Sequence, residues 1–255
     1  MNRLAGRTAI VTGAGQGVGE GIARRFAEEG ADVVIAARRS ETGEPIAESI
    51  RSTGGSAVCI ETDVSSRESV ESCVARTVER FGGLQIMVHN AFRGGIPHRL
   101  EDADLDRHWK HMSTTGVWAV LYCGQAAWPH LREAGARGRL IILTSPSGLE
   151  GSANIPLYSP VKAAERAIAK SLAREWGPSG VTVNCIGPVA ASPALVNAFE
   201  RSPALKEAIE ARTPLGRVGD PQTDIGSVAL FLAGDDSAFV TGQTIICDGG
   251  SFLGL

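Results

Sequence analysis

The chain has 255 residues, of which 43% are hydrophobic and 21% are charged, and its formal net charge is −3. This is ordinary globular composition, and a weakly acidic chain offers no extended basic surface for nucleic acid. Five cysteines, an odd number without C-x-x-C spacing, argue against a disulfide framework and a zinc site and predict reduced thiols.

The first ten residues carry Arg3 and Arg7 but no apolar stretch, so a signal peptide is not expected. No apolar run in the sequence is long enough to span a bilayer. We therefore expect a cytoplasmic protein that does not contact a membrane.

Short β-branched segments alternate with segments of helical periodicity along the chain, which is typical of a parallel sheet built from βαβ units. The predicted strands are mostly apolar, as expected for strands covered on both faces. They span Thr8–Thr12, Asp32–Ala36, Ser56–Glu61, Leu84–His89, Arg139–Thr144, Val181–Cys185 and Thr244–Cys247. The predicted helices span Gly17–Glu29, Arg67–Phe81, Leu105–Arg132 and Tyr158–Trp176.

The two longest predicted helices carry more apolar surface than one sheet requires, and either a subunit interface or ordinary core packing accounts for the surplus. The connection Gly187–Pro214 is long for a compact domain and is expected to form a lid or binding loop. No repeat or low-complexity linker divides the chain, so residues 1–255 are predicted to form one domain.

The first strand runs into the glycine-rich sequence Thr12–Gly19 at a strand-to-helix junction. Gly13 permits a tight turn, Gly17 lets the backbone approach a diphosphate, and Gly19 lets the helix pack close to the sheet. The unpaired N–H groups at the start of the following helix favour an anion. The pattern predicts a nucleotide-binding turn.

The end of the second strand bears on the choice between NAD and NADP. An acidic residue there would bind the adenosine ribose, but this chain has Arg38, which can pair with a 2′-phosphate. NADP is therefore preferred over NAD. Asp63 and Val64 follow the third strand and are expected to meet the adenine.

Tyr158 and Lys162 lie four residues apart and share one face of the predicted helix. An ammonium beside a phenol favours the phenolate, so Tyr158 can act as an acid for ketone reduction or a base for alcohol oxidation. Ser145 lies at the carboxyl end of the fifth strand, where ligands bind in open α/β sheets. Its hydroxyl and the phenol are predicted to converge on one substrate oxygen.

Together these motifs resemble those of the short-chain dehydrogenase/reductase family, in matching order and spacing over nearly the whole chain. The resemblance implies a Rossmann-like α/β fold, a seven-stranded, mostly parallel sheet in the order 3-2-1-4-5-6-7 with helices on both faces. The matching segments are Thr12–Gly19, Asp63-Val64, Asn90-Ala91, Ser145, Tyr158 with Lys162, Asn184 with Pro188, Thr241-Gly242-Gln243 and Asp248-Gly249-Gly250.

The resemblance also implies roles. Tyr158 is the acid/base, Ser145 holds the substrate oxygen, and Lys162 binds the nicotinamide ribose and eases deprotonation of Tyr158. The expected coenzyme-binding residues are Gly13, Gln16, Gly17, Val18, Gly19, Arg38, Asp63, Val64, Asn90, Ala91, Tyr158, Lys162, Pro188 and Ser192. A homotetramer or homodimer is expected, joined through the two long helices and the C-terminal segment.

Three positions depart from the family pattern. Ser113 stands where the family usually has an asparagine that positions a water in a proton relay; its hydroxyl can still bind a water, so it stays in the predicted catalytic set. Phe92 replaces a glycine beside the coenzyme, and either faces the substrate pocket or packs in the core. Pro188 is followed by Val189 instead of glycine, and Ser192 is expected to meet the nicotinamide amide or the diphosphate.

The predicted function is hydride transfer between NADP(H), or NAD(H), and a secondary alcohol or ketone. The segments expected to select the substrate, Phe92–His98, Ser147–Leu157 and Val189–Arg212, carry few charges, which favours an apolar, cyclic or aromatic carbonyl compound. The histidines show no metal-ligand spacing, so no catalytic metal is expected.

Two alternatives differ in class. A coenzyme-binding regulatory protein without catalysis draws support from Ser113 and Phe92, but the intact set of Ser145, Tyr158 and Lys162 argues against it. A dehalogenase offshoot of the same fold works without nicotinamide, and it would lack both Lys162 and the glycine-rich turn.

Overall fold

Seven parallel strands form one sheet in the order β3-β2-β1-β4-β5-β6-β7 in a computed structural model, which describes residues 2–95, 97–102, 104–153 and 155–253. Every neighbouring pair is parallel, so the predicted order is confirmed and the sheet is parallel throughout. The strands are β1 Thr8–Thr12, β2 Asp32–Ala37, β3 Ser56–Glu61, β4 Ile86–His89, β5 Arg139–Leu143, β6 Thr182–Pro188 and β7 Thr244–Cys247.

Helices cover both faces of this sheet. They are α1 Gly17–Glu28, α2 Ser40–Ser52, α3 Arg67–Phe81, α4 Leu105–Ser113, α5 Ala119–Ala134, α6 Ser147–Glu150, α7 Tyr158–Trp176, α8 Pro193–Arg201, α9 Pro203–Arg212 and α10 Gly226–Ala233.

Side-chain alternation along the strands builds two separate cores. In β1, Ala9 and Val11 join the core that packs against α1, α2 and α10, while Ile10 joins the opposite core, which packs against α3, α5 and α7. Since successive strand residues point to opposite faces, a strand buried on both sides must be apolar at every position. This explains the continuous apolar runs in the sequence.

The segment predicted as one helix over Leu105–Arg132 is divided into α4 and α5 by a π-helical turn at Thr114–Trp118. The Thr114 hydroxyl donates to the Lys110 carbonyl at 2.6 Å, and the Thr115 hydroxyl donates to the His111 carbonyl at 3.0 Å. Each hydroxyl donates to the carbonyl four residues before it, a side-chain contact that accompanies the π-helical turn.

The stretch Gly187–Pro214 is more regular than a loop. Its first residues complete β6, and α8 and α9 occupy most of the remainder. The sequence pattern also misses α2, whose Gly43 and Pro45 interrupt the helical signal although Ile46 and Ile50 are buried. Neither difference between the predicted and the observed elements changes the carboxyl edge of the sheet, where the predicted site residues lie.

Candidate active site

A cleft of about 540 Å³ opens at the carboxyl ends of the strands. It brings together most of the residues predicted from the sequence. Those lining it are Gly13, Gln16, Gly17, Val18, Arg38, Asp63, Val64, Asn90, Ala91, Tyr158, Lys162, Pro188 and Ser192. Gly19, Ser113 and Ser145 are not among the described residues that line the cleft.

The glycine-rich turn forms one wall because its backbone lies closer to neighbouring segments than a side chain would permit. Gly13 has φ +65°, and a Cβ there would lie 2.8 Å from the Ala91 Cα. A Cβ at Gly19 would clash with Asn90 Nδ2, so the absence of a side chain at Gly19 lets α1 pack against the end of β4. Among the described residues no side chain caps the start of α1, which leaves its first N–H groups for an anion.

The ends of β1 and β4 are tied together beneath this turn. Asn90 Nδ2 donates to the carbonyl oxygens of Thr12 at 2.9 Å and Gly13 at 3.2 Å. The Thr12 hydroxyl in turn accepts from the backbone N–H groups of Asn90 at 3.0 Å and Ala91 at 3.1 Å. This network fixes the floor of the cleft at the point where the sheet topology reverses, the usual ligand position in such sheets.

Arg38 and Asp63 lie at the far end of the cleft, after β2 and β3. The Asp63 carboxylate accepts from the Ser65 backbone N–H at 2.9 Å and from its hydroxyl at 2.6 Å. Burial opposes ionisation of Asp63, but these hydrogen bonds and the charge of Arg38 outweigh it and lower the pKa of the carboxyl group. Arg38 is exposed and borders the cleft, where its guanidinium is accessible to a ligand.

Tyr158 and Lys162 border the opposite end, in the first turns of α7. Lys162 is only 3% exposed. Its Nζ donates to the Leu143 carbonyl at 3.0 Å and to both carboxylate oxygens of Glu165, at 3.1 and 3.0 Å. The Thr144 hydroxyl donates to the Lys162 carbonyl at 2.8 Å, which joins the helix to the end of β5.

Phe92 contacts both residues at this end. Its ring centroid lies 5.4 Å from that of Tyr158 in an edge-to-face arrangement. The Lys162 Nζ lies 4.1 Å from the Phe92 ring centroid, which is a cation–π contact. Of the two placements left open by the sequence, Phe92 therefore takes the one that faces the cleft.

Ser145 lies two residues beyond the end of β5 and is 9% exposed. Its Oγ accepts from the Ser147 backbone N–H at 3.2 Å, at the start of the short helix α6. Ser113, the other predicted catalytic residue that does not line the cleft, is the last residue of α4. Its hydroxyl donates to the Lys110 carbonyl within α4 at 3.2 Å, because a serine in a helix readily bonds to its own backbone.

Several cleft residues carry no signal in the sequence pattern. Thr115 lines the cleft, and its Oγ1 accepts from the Arg93 backbone N–H at 3.4 Å. Glu165, which does not line the cleft, also carries no functional signal in the sequence; it lies three residues after Lys162 on the same face of α7. A second cavity of about 570 Å³ shares Arg38, Asp63, Arg93 and Thr115 with the cleft and extends along α4. Ile96, one of the apolar residues expected beside the substrate, is outside the described residues.

Within the part of the chain that the structure describes, no three His, Cys, Asp or Glu side chains are grouped so as to hold a metal ion. None of the described helices is long and apolar enough to cross a membrane. His89, at the end of β4, is buried, and burial together with the charge of Lys162 lowers its pKa to about 3. It is therefore a neutral core residue at physiological pH.

The glycine cradle gives a direct test of whether a dinucleotide suits the cleft. Gly13 and Gly17 both have positive φ, a backbone conformation that other residues rarely adopt, and neither carries a side chain that could obstruct a ligand at the turn. The N-terminus of α1 suits a diphosphate, and Arg38 suits a phosphate or ribose at the far end. The residues present therefore fit a nicotinamide dinucleotide.

Comparison with known proteins agrees with this geometry. Residues 13–251 match the family model described as enoyl-(acyl carrier protein) reductase. The chain is 36% identical to 2,5-dichloro-2,5-cyclohexadiene-1,4-diol dehydrogenase of Sphingobium indicum, covering 100% of this chain and 99% of the relative. It is 34% identical to L-rhamnose 1-dehydrogenase (NAD(P)(+)) of Azotobacter vinelandii, covering 99% of both chains.

Solved structures give the same result. One described as a short-chain alcohol dehydrogenase from Sinorhizobium meliloti 1021 superimposes with a TM-score of 0.92 at 31% identity, covering 100% of this chain and 99% of the other. A 7α-hydroxysteroid dehydrogenase complexed with NADH and 7-oxo glycochenodeoxycholic acid gives 0.91 at 29% identity, with 98% and 95% covered. The chain therefore belongs to the short-chain dehydrogenase/reductase family of oxidoreductases.

Proposed function

We propose that this protein transfers a hydride between NADP(H) and a secondary alcohol or ketone, with Tyr158 as the acid/base. One observation carries the proposal: Tyr158 and Lys162 border the same cleft as the glycine-rich turn. A nucleotide held by the turn would extend along the cleft toward the phenol. The reactive end of a bound coenzyme and a proton donor would then lie together at one substrate oxygen.

The chain's own residues supply binding and proton transfer, and a bound nicotinamide coenzyme would supply the hydride for ketone reduction or accept it in alcohol oxidation. In ketone reduction the Tyr158 hydroxyl gives its proton to the carbonyl oxygen as the carbonyl carbon is reduced, and the resulting phenolate regains a proton from water. In alcohol oxidation the phenolate accepts the hydroxyl proton. Lys162 favours the phenolate through its positive charge.

Ser145 is proposed to hold the substrate oxygen. It follows β5 at the carboxyl edge of the sheet, and the hydrogen bond from the Ser147 N–H fixes its hydroxyl oxygen while leaving the hydroxyl proton free to donate. Ser113 is a weaker member of the set, because its hydroxyl is engaged by the Lys110 carbonyl.

NADP is proposed as the preferred coenzyme because Arg38 occupies the position where an acidic residue would select NAD. The substrate class is proposed from the apolar segments expected to select the substrate, in which Leu149, Leu157, Leu195 and Phe199 are all partly buried. Two relatives named above act on ring compounds by their names, a cyclohexadienediol and a steroid. We therefore propose an apolar cyclic secondary alcohol or its ketone.

A homodimer or homotetramer is proposed from the outer face of α4, the π-helical turn and α5. Trp109, Trp118 and Leu121 are 45%, 51% and 37% exposed there. Exposed aromatic and apolar side chains on neighbouring elements are typical of subunit interfaces. Light scattering after size-exclusion chromatography would report the mass in solution, and a monomer at working concentration would exclude this arrangement.

Substitution of Tyr158 tests the proposed reaction. The Tyr158→Phe protein is expected to lose turnover of NADPH with a panel of cyclic ketones by at least ~100-fold, because the acid/base is gone, while coenzyme affinity stays close to that of the parent. Tyr122→Phe removes the other tyrosine of the chain and is the matched control. Full activity in Tyr158→Phe would refute the role given to the phenol.

The same pair of measurements addresses a coenzyme-binding regulator without catalysis, the alternative that the Phe92 contact with Lys162 favours. Such a regulator would bind NADPH equally well as the parent protein and as the Tyr158→Phe variant. Neither protein would turn over any member of the ketone panel.

A further inference from the structure

Glu165 is a buried carboxylate with no part in the reaction described so far. It lies one turn after Lys162 in α7 and is 0% exposed. Both of its carboxylate oxygens accept from the Lys162 Nζ, at 3.1 and 3.0 Å. A Cβ at Gly116, in the π-helical turn, would lie 2.9 Å from Glu165 Oε1, so the carboxylate fills a space that this glycine leaves open.

A buried carboxylate is costly in free energy unless it is paired, and removing Lys162 would leave the charge of Glu165 uncompensated. Burial raises the pKa of Glu165, and the charge and hydrogen bonds of Lys162 act in the opposite direction. The two groups therefore behave as one unit, in which each charge is stabilised by the other.

The other titratable groups around this pair are either uncharged or bound to partners of their own. On β4, His89 is neutral because burial and Lys162 lower its pKa to about 3. On β6, burial and the charge of Glu165 raise the pKa of Cys185 to about 12, so its thiol keeps its proton. On α7, the Arg166 guanidinium is directed elsewhere, donating to the Gly148 carbonyl at 3.0 Å and to the Thr244 hydroxyl at 3.3 Å.

The Lys162 ammonium makes three kinds of contact, and the one with Glu165 is its contact with a negative charge. The Leu143 carbonyl at 3.0 Å and the Phe92 ring at 4.1 Å complete its surroundings. The Nζ lies 5.8 Å from the Tyr158 ring centroid. At that range an ammonium favours ionisation of the phenol, and a carboxylate bound to the same ammonium offsets part of that effect.

We propose that Glu165 is a positioning residue for the reaction: its carboxylate holds the Lys162 ammonium in place and offsets its charge, so that the Tyr158 phenol keeps its proton to a higher pH than Lys162 alone would allow. The proposal rests on the function proposed above for Tyr158. Among the described residues Glu165 does not line the cleft, so this control on proton transfer acts through Lys162.

The test uses the fact that the chain has two tyrosines, Tyr122 and Tyr158. In a Tyr122→Phe background, the ultraviolet absorbance of phenolate reports Tyr158 alone, with neither coenzyme nor substrate present. Adding Glu165→Gln is expected to lower the midpoint of this titration by about one pH unit or more, because a negative charge near the phenol is lost. The pH profile of kcat/KM for alcohol oxidation should move to lower pH by the same amount.

Two further variants separate a charge effect from a structural one. Glu165→Asp keeps the charge and should return the midpoint most of the way to the parent value. Glu175→Gln removes the other glutamate of α7, which is exposed, and should leave the midpoint unchanged. If Glu165→Gln does not fold by circular dichroism, Glu165→Met replaces it with the same expected shift, since methionine needs no hydrogen-bond partner in a buried site.

A midpoint that stays at the parent value in a folded Glu165→Gln or Glu165→Met protein would overturn the proposal. Equal shifts in Glu165→Gln and Glu165→Asp would also overturn it, because charge would then not be the cause. Failure of the proposed function looks different: NADPH would not bind or turn over, whereas the phenolate titration would still respond to Glu165.

Discussion

At the scale of single residues, Arg38 has the largest expected effect on coenzyme choice. It is exposed at the end of β2, borders the cleft, and lies near Asp63, whose carboxylate is already bound by the Ser65 N–H and hydroxyl. The Asp63 carboxylate is thus held in place by these two hydrogen bonds from Ser65. The Arg38 guanidinium remains able to form paired hydrogen bonds with a phosphate.

Replacing Arg38 by alanine is therefore expected to weaken NADPH binding by about 10- to 100-fold, the loss expected for hydrogen bonds to a charged group. NADH, which lacks the 2′-phosphate, should change by no more than about twofold. Calorimetric titration of the two coenzymes measures both affinities. Arg174→Ala, at an exposed arginine of α7, is the matched control.

Equal weakening of NADPH and NADH binding by Arg38→Ala would contradict this account, since it would mean that Arg38 supports the cleft without recognising a phosphate. An unchanged NADPH affinity would contradict it equally.

Residues with strict backbone or spacing requirements were predictable from the sequence. The cleft is lined by Gly13, Gly17, Tyr158 and Lys162, as the pattern indicates. Glu165 was not predictable, because one acidic residue in a helix is ordinarily solvated and nothing in its spacing reveals that it is buried. Its burial depends on the space beside Gly116, which arises only when two distant helices pack.

At the scale of secondary structure elements, α3 offers a clear test of local stability. It begins after Ser66, whose Oγ accepts from the Ser69 backbone N–H at 3.1 Å. This is an N-cap, which satisfies one of the unpaired donors of the first turn. The helix ends at Gly82, which has φ +80°, the left-handed conformation typical of helix C-termini.

Ser66→Ala is expected to lower the free energy of unfolding by about 1 kcal/mol, the usual cost of losing an N-cap. NADPH affinity should not change, because Ser66 does not line the cleft among the described residues. Chemical denaturation measures the effect. Ser171→Ala, in the middle of α7 on an exposed face, is the control and should be neutral or slightly stabilising. A loss as large in Ser171→Ala as in Ser66→Ala would exclude capping as the cause.

The sequence predicts the bounds of an element when capping residues and periodicity mark both of its ends. It does not predict bounds that depend on contacts with distant parts of the chain. The predicted range of α3 is the observed one. The division between α4 and α5 was missed because Thr114 and Thr115 look compatible with a continuous helix, and only their hydroxyl contacts with preceding carbonyls reveal the π-helical turn. The extension of β6 to Pro188 depends on pairing with β7, which no local pattern records.

At the scale of the whole molecule, the strand order is the one that the family resemblance implies, and the structure confirms it. The reversal between β1 and β4 creates the crevice in which the two ends of the predicted site meet. Gly13 and Tyr158 lie more than 140 residues apart in the sequence, and the complete sheet brings them to one cleft. Binding of a coenzyme therefore reports on the whole architecture.

Calorimetric titration of the purified, coenzyme-free protein with NADPH, and separately with NADH, tests the central claim most directly because it requires no substrate. The account predicts saturable binding of NADPH and distinctly weaker binding of NADH, as expected from the cradle at Gly13–Gly19 and from Arg38. A folded protein that binds neither coenzyme would contradict the proposed function, and obstruction of the cleft by Phe92 would be the first cause to examine.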